Sequence, residues 1–262
     1  MSASNNTQPA PTPSDDVEHH LTYLKLAFIA QHYAELAKQA AQKAWPHVDY
    51  LARLAEGEAE WRRDRATKSR IRLARFPVIK TVDQFRWDWP TRLNRLQVQN
   101  HFRLEFIKDK SNVILLGGVG LGKTWLGCAL GHKACREGLT ALYLRLPRFL
   151  QELPIAKGDG RYGKVLTALA KTDVLMLDDW GLAPLSDENR RDLLEIVEDR
   201  HDCRATLVTS QLPVEHWHEA LGDPTLADAI LDRLVHNAYK ITLQGESMRK
   251  RQARLTRGAT AE

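Results

Sequence analysis

The sequence predicts an α/β protein: a five-stranded parallel sheet covered by helices on both faces, preceded by a small all-helical domain. Three observations carry this. Apolar residues recur at helical spacing over residues 17–76, with no strand-like alternation before residue 110. From residue 111 short apolar strands alternate with helical stretches, the pattern of a parallel sheet buried on both faces. One of those strands, NVILL, runs directly into a glycine-rich loop that opens a helix.

The bulk numbers agree. The chain has 262 residues, room for one ordinary α/β domain and a smaller appendage, with 43% hydrophobic and 27% charged residues. No stretch approaches the roughly 18 apolar residues that would span a membrane, so no membrane association is expected. Residues 1–16 read as a disordered, polar, Pro-rich tail without the features of an export signal, so a cytoplasmic location is expected. Cys128, Cys135 and Cys203 match no zinc spacing and read as small core side chains. The net charge of +5 hints at a polyanionic partner.

Within residues 17–76, Leu21, Leu24, Phe28, Ile29 and Leu36 mark one helix, Pro46 interrupts, and Tyr50, Leu51, Leu54 and Trp61 mark a second. That second helix ends in a basic run: Arg62, Arg63, Arg65, Lys68, Arg70, Arg72 and Arg75 against one acid, Asp64. Arg65, Lys68, Arg72 and Arg75 are expected on one helical face, a spacing suited to a phosphate backbone. The same segment also reads as a solvated helix face. Residues 77–110 connect the two parts. Phe85, Trp87 and Trp89 alternate there and read either as an extended segment pinned to the core or as a wall of an adenine pocket. The strands expected next are Val113–Leu116, Ala141–Leu144, Val174–Leu177, Thr206–Val208 and Lys240–Leu243. The nucleotide domain is expected over 111–252, with a tail over 253–262.

The loop reads Gly117-Gly118-Val119-Gly120-Leu121-Gly122-Lys123-Thr124, which is GxxxxGK[ST] between a strand and a helix. Glycines let the backbone wrap phosphates with its N–H groups inward, and the helix adds its positive end. Lys123 can neutralise the β- and γ-phosphates of ATP, and the Thr124 hydroxyl can hold Mg²⁺. Trp125 is counted with the loop. Val174–Asp179 is an apolar strand ending in two carboxylates: Asp178 to hold the Mg²⁺, usually through water, and Asp179 to orient and deprotonate the attacking water. Thr206–Gln211 ends another strand in polar side chains, which would touch the γ-phosphate or only make local bonds at the strand exit. Arg233 lies on a helix far from the loop and reads either as the partner of a nearby carboxylate or as an arginine finger reaching an adjacent subunit.

From about residue 20 to 252 the chain resembles the IstB-like ATPases, helper proteins of bacterial insertion sequences that belong with the DnaC-type helicase loaders in the AAA+ superfamily. The segments that carry it are FPVIKTVDQF at 76–85, the loop, VLMLDDWG at 174–181, LVTSQLPVEHW at 207–217, AILDRL at 229–234 and GESMR at 245–249. The resemblance implies an AAA+ core, ATP-dependent assembly of many subunits on duplex DNA, and a transposase of the same insertion sequence as partner. It puts Ser210 and Gln211 at the first sensor and Arg233 at the arginine finger. It marks about 148–171 as a helical insertion facing DNA, in which Lys157, Arg161 and Lys164 are candidate contacts, a stretch that also reads as an exposed surface helix. Three departures stand out. Asp178-Asp179 replaces the common Asp-Glu, which implies slow hydrolysis. Gln211 stands where Asn is frequent. The usual C-terminal lid is absent or vestigial, with Arg249 as a substitute second sensor. A DnaC-type helicase loader would share this core and differ in its N-terminal domain. A small-molecule kinase lacks support, since no lid rich in arginines is present. A nucleotide-gated platform with little turnover fits the short Asp179.

Overall fold

The computed structural model describes residues 13–84, 91–92 and 94–248, and the chain divides at Lys68/Ser69 into two compact units. The first unit holds α1 (Pro13–Tyr23), α2 (Ala27–Gln42) and most of α3 (His47–Leu73). The first helix therefore starts within the stretch expected to be a tail. Pro46 sits just before α3, where its missing N–H costs nothing, and its carbonyl accepts from Asp49 N at 3.0 Å.

One buried carboxylate ties α2 to α3. The residue before α2, Leu26, offers no side-chain cap. Glu58 of α3 substitutes for one by accepting from the amides of Phe28 (2.9 Å) and Ile29 (3.3 Å). Gly57 makes the approach possible, since a Cβ there would lie 2.0 Å from the Phe28 ring. Arg62 closes the cluster, donating to Glu58 at 2.9 Å and to the Lys25 carbonyl at 3.1 Å.

Burial pushes the Glu58 carboxyl up, but the Arg62 bond and the two amides outweigh it and hold it below its ordinary value. The contact therefore stabilises the fold above that ordinary value and is lost as pH falls through the lowered one. Glu58→Ala is expected to cost the helical unit about 2 kcal/mol. Helix melting followed by circular dichroism should show the loss near neutral pH and a shrinking difference from wild type as pH falls below the ordinary carboxylate value. Equal destabilisation near neutral pH and below that value would refute the assignment.

The second unit carries seven strands and eight helices among the described residues. In chain order they are β1 (Thr91–Arg92), α4 (Arg95–His101), α5 (Glu105–Lys108), β2 (Asn112–Leu116), α6 (Lys123–Arg136), β3 (Ala141–Arg145), α7 (Leu146–Gly158), α8 (Tyr162–Lys171), β4 (Val174–Trp180), α9 (Asp187–Arg200), β5 (Ala205–Ser210), α10 (Trp217–Leu221), α11 (Pro224–Val235), β6 (Ala238–Thr242) and β7 (Gln244–Gly245). The main sheet is all parallel, in the order β3-β4-β5-β2-β6. The five expected strands are all present. The last begins at Ala238 rather than Lys240, and the one bearing the carboxylates runs on to Trp180. β1, which pairs antiparallel with β7, corrects the expectation of no strand before residue 110. A two-residue strand has no alternation to read.

Each strand alternates its side chains between two cores. Val113, Leu115, Val174, Met176 and Leu207 face α6, α4 and α5, while Ile114, Leu175, Leu177 and Val208 face α7 to α11. Gly127 lets α6 lie against the sheet, since a Cβ there would meet Met176 Cε at 2.4 Å. The free edge of β3 is covered by the chain leaving α3: Tyr143 N donates to Ala74 O at 2.8 Å. The helix ends at Leu73, so Arg75 does not continue its face as expected. It sits in the following turn at φ +56°.

Candidate nucleotide-binding site

β2 lies at the switch point of the sheet, with β5 on one side and β6 on the other, so the crevice opens at its carboxyl end. The loop 117–124 leaves β2 there and delivers Lys123 and Thr124 to the first turn of α6. Gly117, Gly120 and Gly122 hold positive φ, which glycine adopts without strain. Lys123 is 9% exposed and donates from Nζ to the carbonyls of Gly117 (2.6 Å) and Gly118 (2.8 Å). Val119 is exposed, Leu121 is buried, and Trp125 packs half-buried against the α6-side core.

The segment after β6 runs along this loop. Leu243 N donates to Leu116 O at 2.8 Å and Met248 N to Gly120 O at 2.9 Å. A Cβ on Gly120 would lie 2.3 Å from Ser247 Oγ. Gly120→Ala, strained by the φ of +77° and by this contact, is expected to cost about 1–3 kcal/mol and to weaken nucleotide binding. Thermal unfolding and binding of a fluorescent ATP analogue check it; wild-type values in both would show that the loop is not held by Ser247. Arg249, the expected second sensor, lies outside the described residues, as do Phe85, Trp87 and Trp89.

β5 stands between β2 and β4, which sets its last residues between the loop and the two carboxylates. Asp178 is 4% exposed and collects three hydroxyl donors. Thr124 Oγ1 lies 3.0 Å from Oδ1 and 3.1 Å from Oδ2. Tyr143 OH donates to Oδ2 at 2.7 Å, and Thr209 Oγ1 donates to Oδ1. Burial first, then the neighbouring Asp178 carboxylate, pushes the Tyr143 hydroxyl far above its ordinary value, so it stays a donor. The ladder between β4 and β5 shifts between Leu177 and Trp180. At that irregularity Asp179 takes φ +63°, its N–H donates to Thr209 Oγ1 at 3.3 Å, and its carboxylate accepts from Arg145 Nε at 2.7 Å.

The donor set fits a magnesium nucleotide. Backbone amides at a helix N-terminus and a buried ammonium suit phosphates. A hydroxyl and a carboxylate in contact are hard oxygen ligands suited to Mg²⁺. Ser210 does not reach the crevice: its hydroxyl donates to Trp180 O (2.9 Å) and accepts from Leu212 N (3.0 Å). Gln211 is exposed at the exit of β5. Arg233 is not brought to this site either. It pairs with Glu198, donates to Ala229 O at 2.9 Å, and its carbonyl accepts from Asn112 at the opposite end of β2.

The expected DNA-contacting residues differ in how far they are committed to partners. Arg62 is bonded to Glu58, and Lys68 pairs with Asp64 at 2.7 Å. Lys157 is held by Asp192 (2.7 Å) and Glu188 (2.8 Å), and Arg161 by Asp159. Arg63, Arg65, Arg72, Arg75 and Lys164 are exposed. Tyr143 and Arg145 do not stand out in the sequence, and Thr209 enters it only as one member of the polar tip at 206–211; the clue to the first is a lone phenol among the aliphatic residues of ALYL.

Residues 19–256 match the family described as IstB-like ATP binding protein. An insertion sequence ATP-binding protein of Sinorhizobium fredii, y4pL, is 43% identical over 234 residues, covering 89% of this chain and 96% of its own. The ATP-binding protein named for insertion sequence IS21 of Pseudomonas aeruginosa is 34% identical over 239 residues, covering 91% and 90%. Among solved structures, DnaI aligns at a TM-score of 0.56 and 21% identity, covering 68% of this chain and 94% of that one. The replication initiator DnaA bound to AMPPCP and single-stranded DNA aligns at 0.51 and 19%, covering 63% and 50%. At these identities the two structures speak for the fold alone, an α/β core with a parallel sheet.

Proposed function

The chain belongs to the IstB-like ATP-binding family, and from that premise we propose that it is an ATPase that assembles on duplex DNA and helps the transposase of its own insertion sequence. The observation that carries the reading is the contact between Thr124 and Asp178 at the foot of the GGVGLGKT loop. It joins a phosphate cradle to a carboxylate through a hydroxyl that can turn toward a cation. The curated relatives are named for insertion sequences, which supports a transposase as the partner.

In this reading the loop amides and Lys123 bind the triphosphate, and Thr124 and Asp178 hold Mg²⁺. The cation supplies charge neutralisation on the phosphate oxygens. Asp179 orients the attacking water and accepts its proton. With Ser210 engaged by the backbone, Gln211 carries the first-sensor part. The exposed Arg63, Arg65, Arg72, Arg75 and Lys164 meet DNA phosphates with little base preference, and Arg62, Lys68, Lys157 and Arg161 exchange their carboxylate partners for phosphate on binding.

Sedimentation of the protein with duplex DNA tests this, with and without ATP and Mg²⁺. Large complexes that need ATP, duplex and an intact Lys123 are expected. A protein that stays small on duplex, or assembles only on single strands, would refute the reading. In this reading Arg233, which lies at the far end of β2 from its own chain's loop, acts on the nucleotide of an adjacent subunit. Arg233→Ala is expected to bind ATP normally and to lose DNA-stimulated turnover by about 1,000-fold; turnover unchanged in such a variant would remove the role in trans.

A further inference from the structure

We propose that Tyr143 is a positioning residue for the divalent cation: its phenol fixes the Asp178 carboxylate in the orientation that ligates Mg²⁺. This rests on the magnesium-nucleotide reading of the site and names a residue that it did not include. Asp178 is almost wholly buried, so the orientation of its carboxylate is set by protein donors rather than by water. Three hydroxyls serve it, and they are not equivalent. Thr124 sits on the phosphate loop and spans both oxygens, so it is the donor that leaves when its own oxygen turns to a cation. Thr209 serves Oδ1 alone and also accepts from Asp179 N. Tyr143 is then the donor that remains on Oδ2.

The phenol is itself held. Its ring packs half-buried against the α6-side core, and its backbone N–H is bonded to Ala74 O. Ala74 belongs to a stretch clamped to the loop helix: Arg70 Nε donates to Cys135 O at 2.9 Å, and Phe76 lies where a Cβ on Gly131 would meet it at 2.7 Å. A carboxylate with one oxygen tied to such a fixed donor presents the other face to the loop in a single orientation. Partners of this kind, one shell outside the ligands, commonly set metal affinity by about 10- to 100-fold.

The test is a Mg²⁺ titration of fluorescent-ATP-analogue binding to the full chain, comparing wild type, Tyr143→Phe, Asp178→Ala and the double variant. Tyr143→Phe keeps the ring and is expected to bind the analogue like wild type in EDTA while needing about tenfold more Mg²⁺ for half-effect. In the Asp178→Ala background the same change is expected to add nothing, the mark of two groups acting as one. An unchanged Mg²⁺ midpoint, or an equal loss of binding with and without Mg²⁺, would overturn the inference and leave the phenol a packing group. Additive effects of the two substitutions would do the same. Analogue binding by wild type that ignores Mg²⁺ would bring down the cation assignment itself, and this inference with it.

Discussion

Lys123→Ala is expected to abolish function at its first step, with nucleotide affinity reduced by about 100-fold and hydrolysis undetectable. Lys123 is 9% exposed as a residue, and its ammonium donates to two loop carbonyls, so it enters the site largely removed from water. A charge-assisted bond in such surroundings is worth about 1.5–3 kcal/mol, and roughly 1.4 kcal/mol is tenfold in affinity. Loss of the charge also leaves Mg²⁺ to screen the triphosphate from the buried Asp178 without help from the loop lysine. The fold should survive, because α6 is anchored by Leu126, Cys128, Ala129 and Leu130, all buried in one core cluster. Equilibrium binding of a fluorescent ATP analogue, with thermal unfolding as the folding control, gives the answer. Wild-type binding by a folded variant would show that the loop is not the phosphate site.

The parts of this site that the sequence reveals are those where chemistry and backbone geometry coincide. A loop that must hold positive φ at Gly117, Gly120 and Gly122 writes itself as glycine. A parallel strand buried on both faces writes itself as an apolar run, and its carboxylates stand out at the end. Tyr143 escapes such reading, and the partner of Thr209 does too, because both act through tertiary distance: 35 and 31 residues separate them from Asp178, and only the strand order brings them to it. Glu58 escapes for the same reason, capping a helix 30 residues earlier in the chain. The end of α3 is only partly legible. Pro77 marks a stop close by, but nothing in RIRLAR fixes the last helical residue, and the helix ends where Ala74 is drawn onto the edge of β3. Ser210 shows the converse limit. A serine at a strand tip reads as a site residue, yet its hydroxyl is consumed by Trp180 O and Leu212 N.

Asp179→Asn is expected to separate binding from turnover. The side chain keeps its size, and asparagine tolerates the left-handed backbone at φ +63° as well as aspartate does, so the ladder shift beside Trp180 should persist. What is lost is the capacity to accept a proton from water, a contribution of about 100- to 10,000-fold. ATP binding and assembly on duplex DNA should remain, and the assemblies should outlast those of wild type because the nucleotide that holds them is no longer consumed. A rival role is visible in the structure. The Asp179 carboxylate accepts from Arg145 at 2.7 Å, and an ion pair at the mouth of the site could serve only to fix β3 against β4. The two roles part on Arg145→Gln. If Asp179 is the base, that variant keeps turnover within about tenfold of wild type while Asp179→Asn does not, since an exposed ion pair contributes little. If both substitutions slow hydrolysis equally, or if Asp179→Asn hydrolyses ATP at the wild-type rate in a phosphate-release assay, the base lies elsewhere and the carboxylate is a strut.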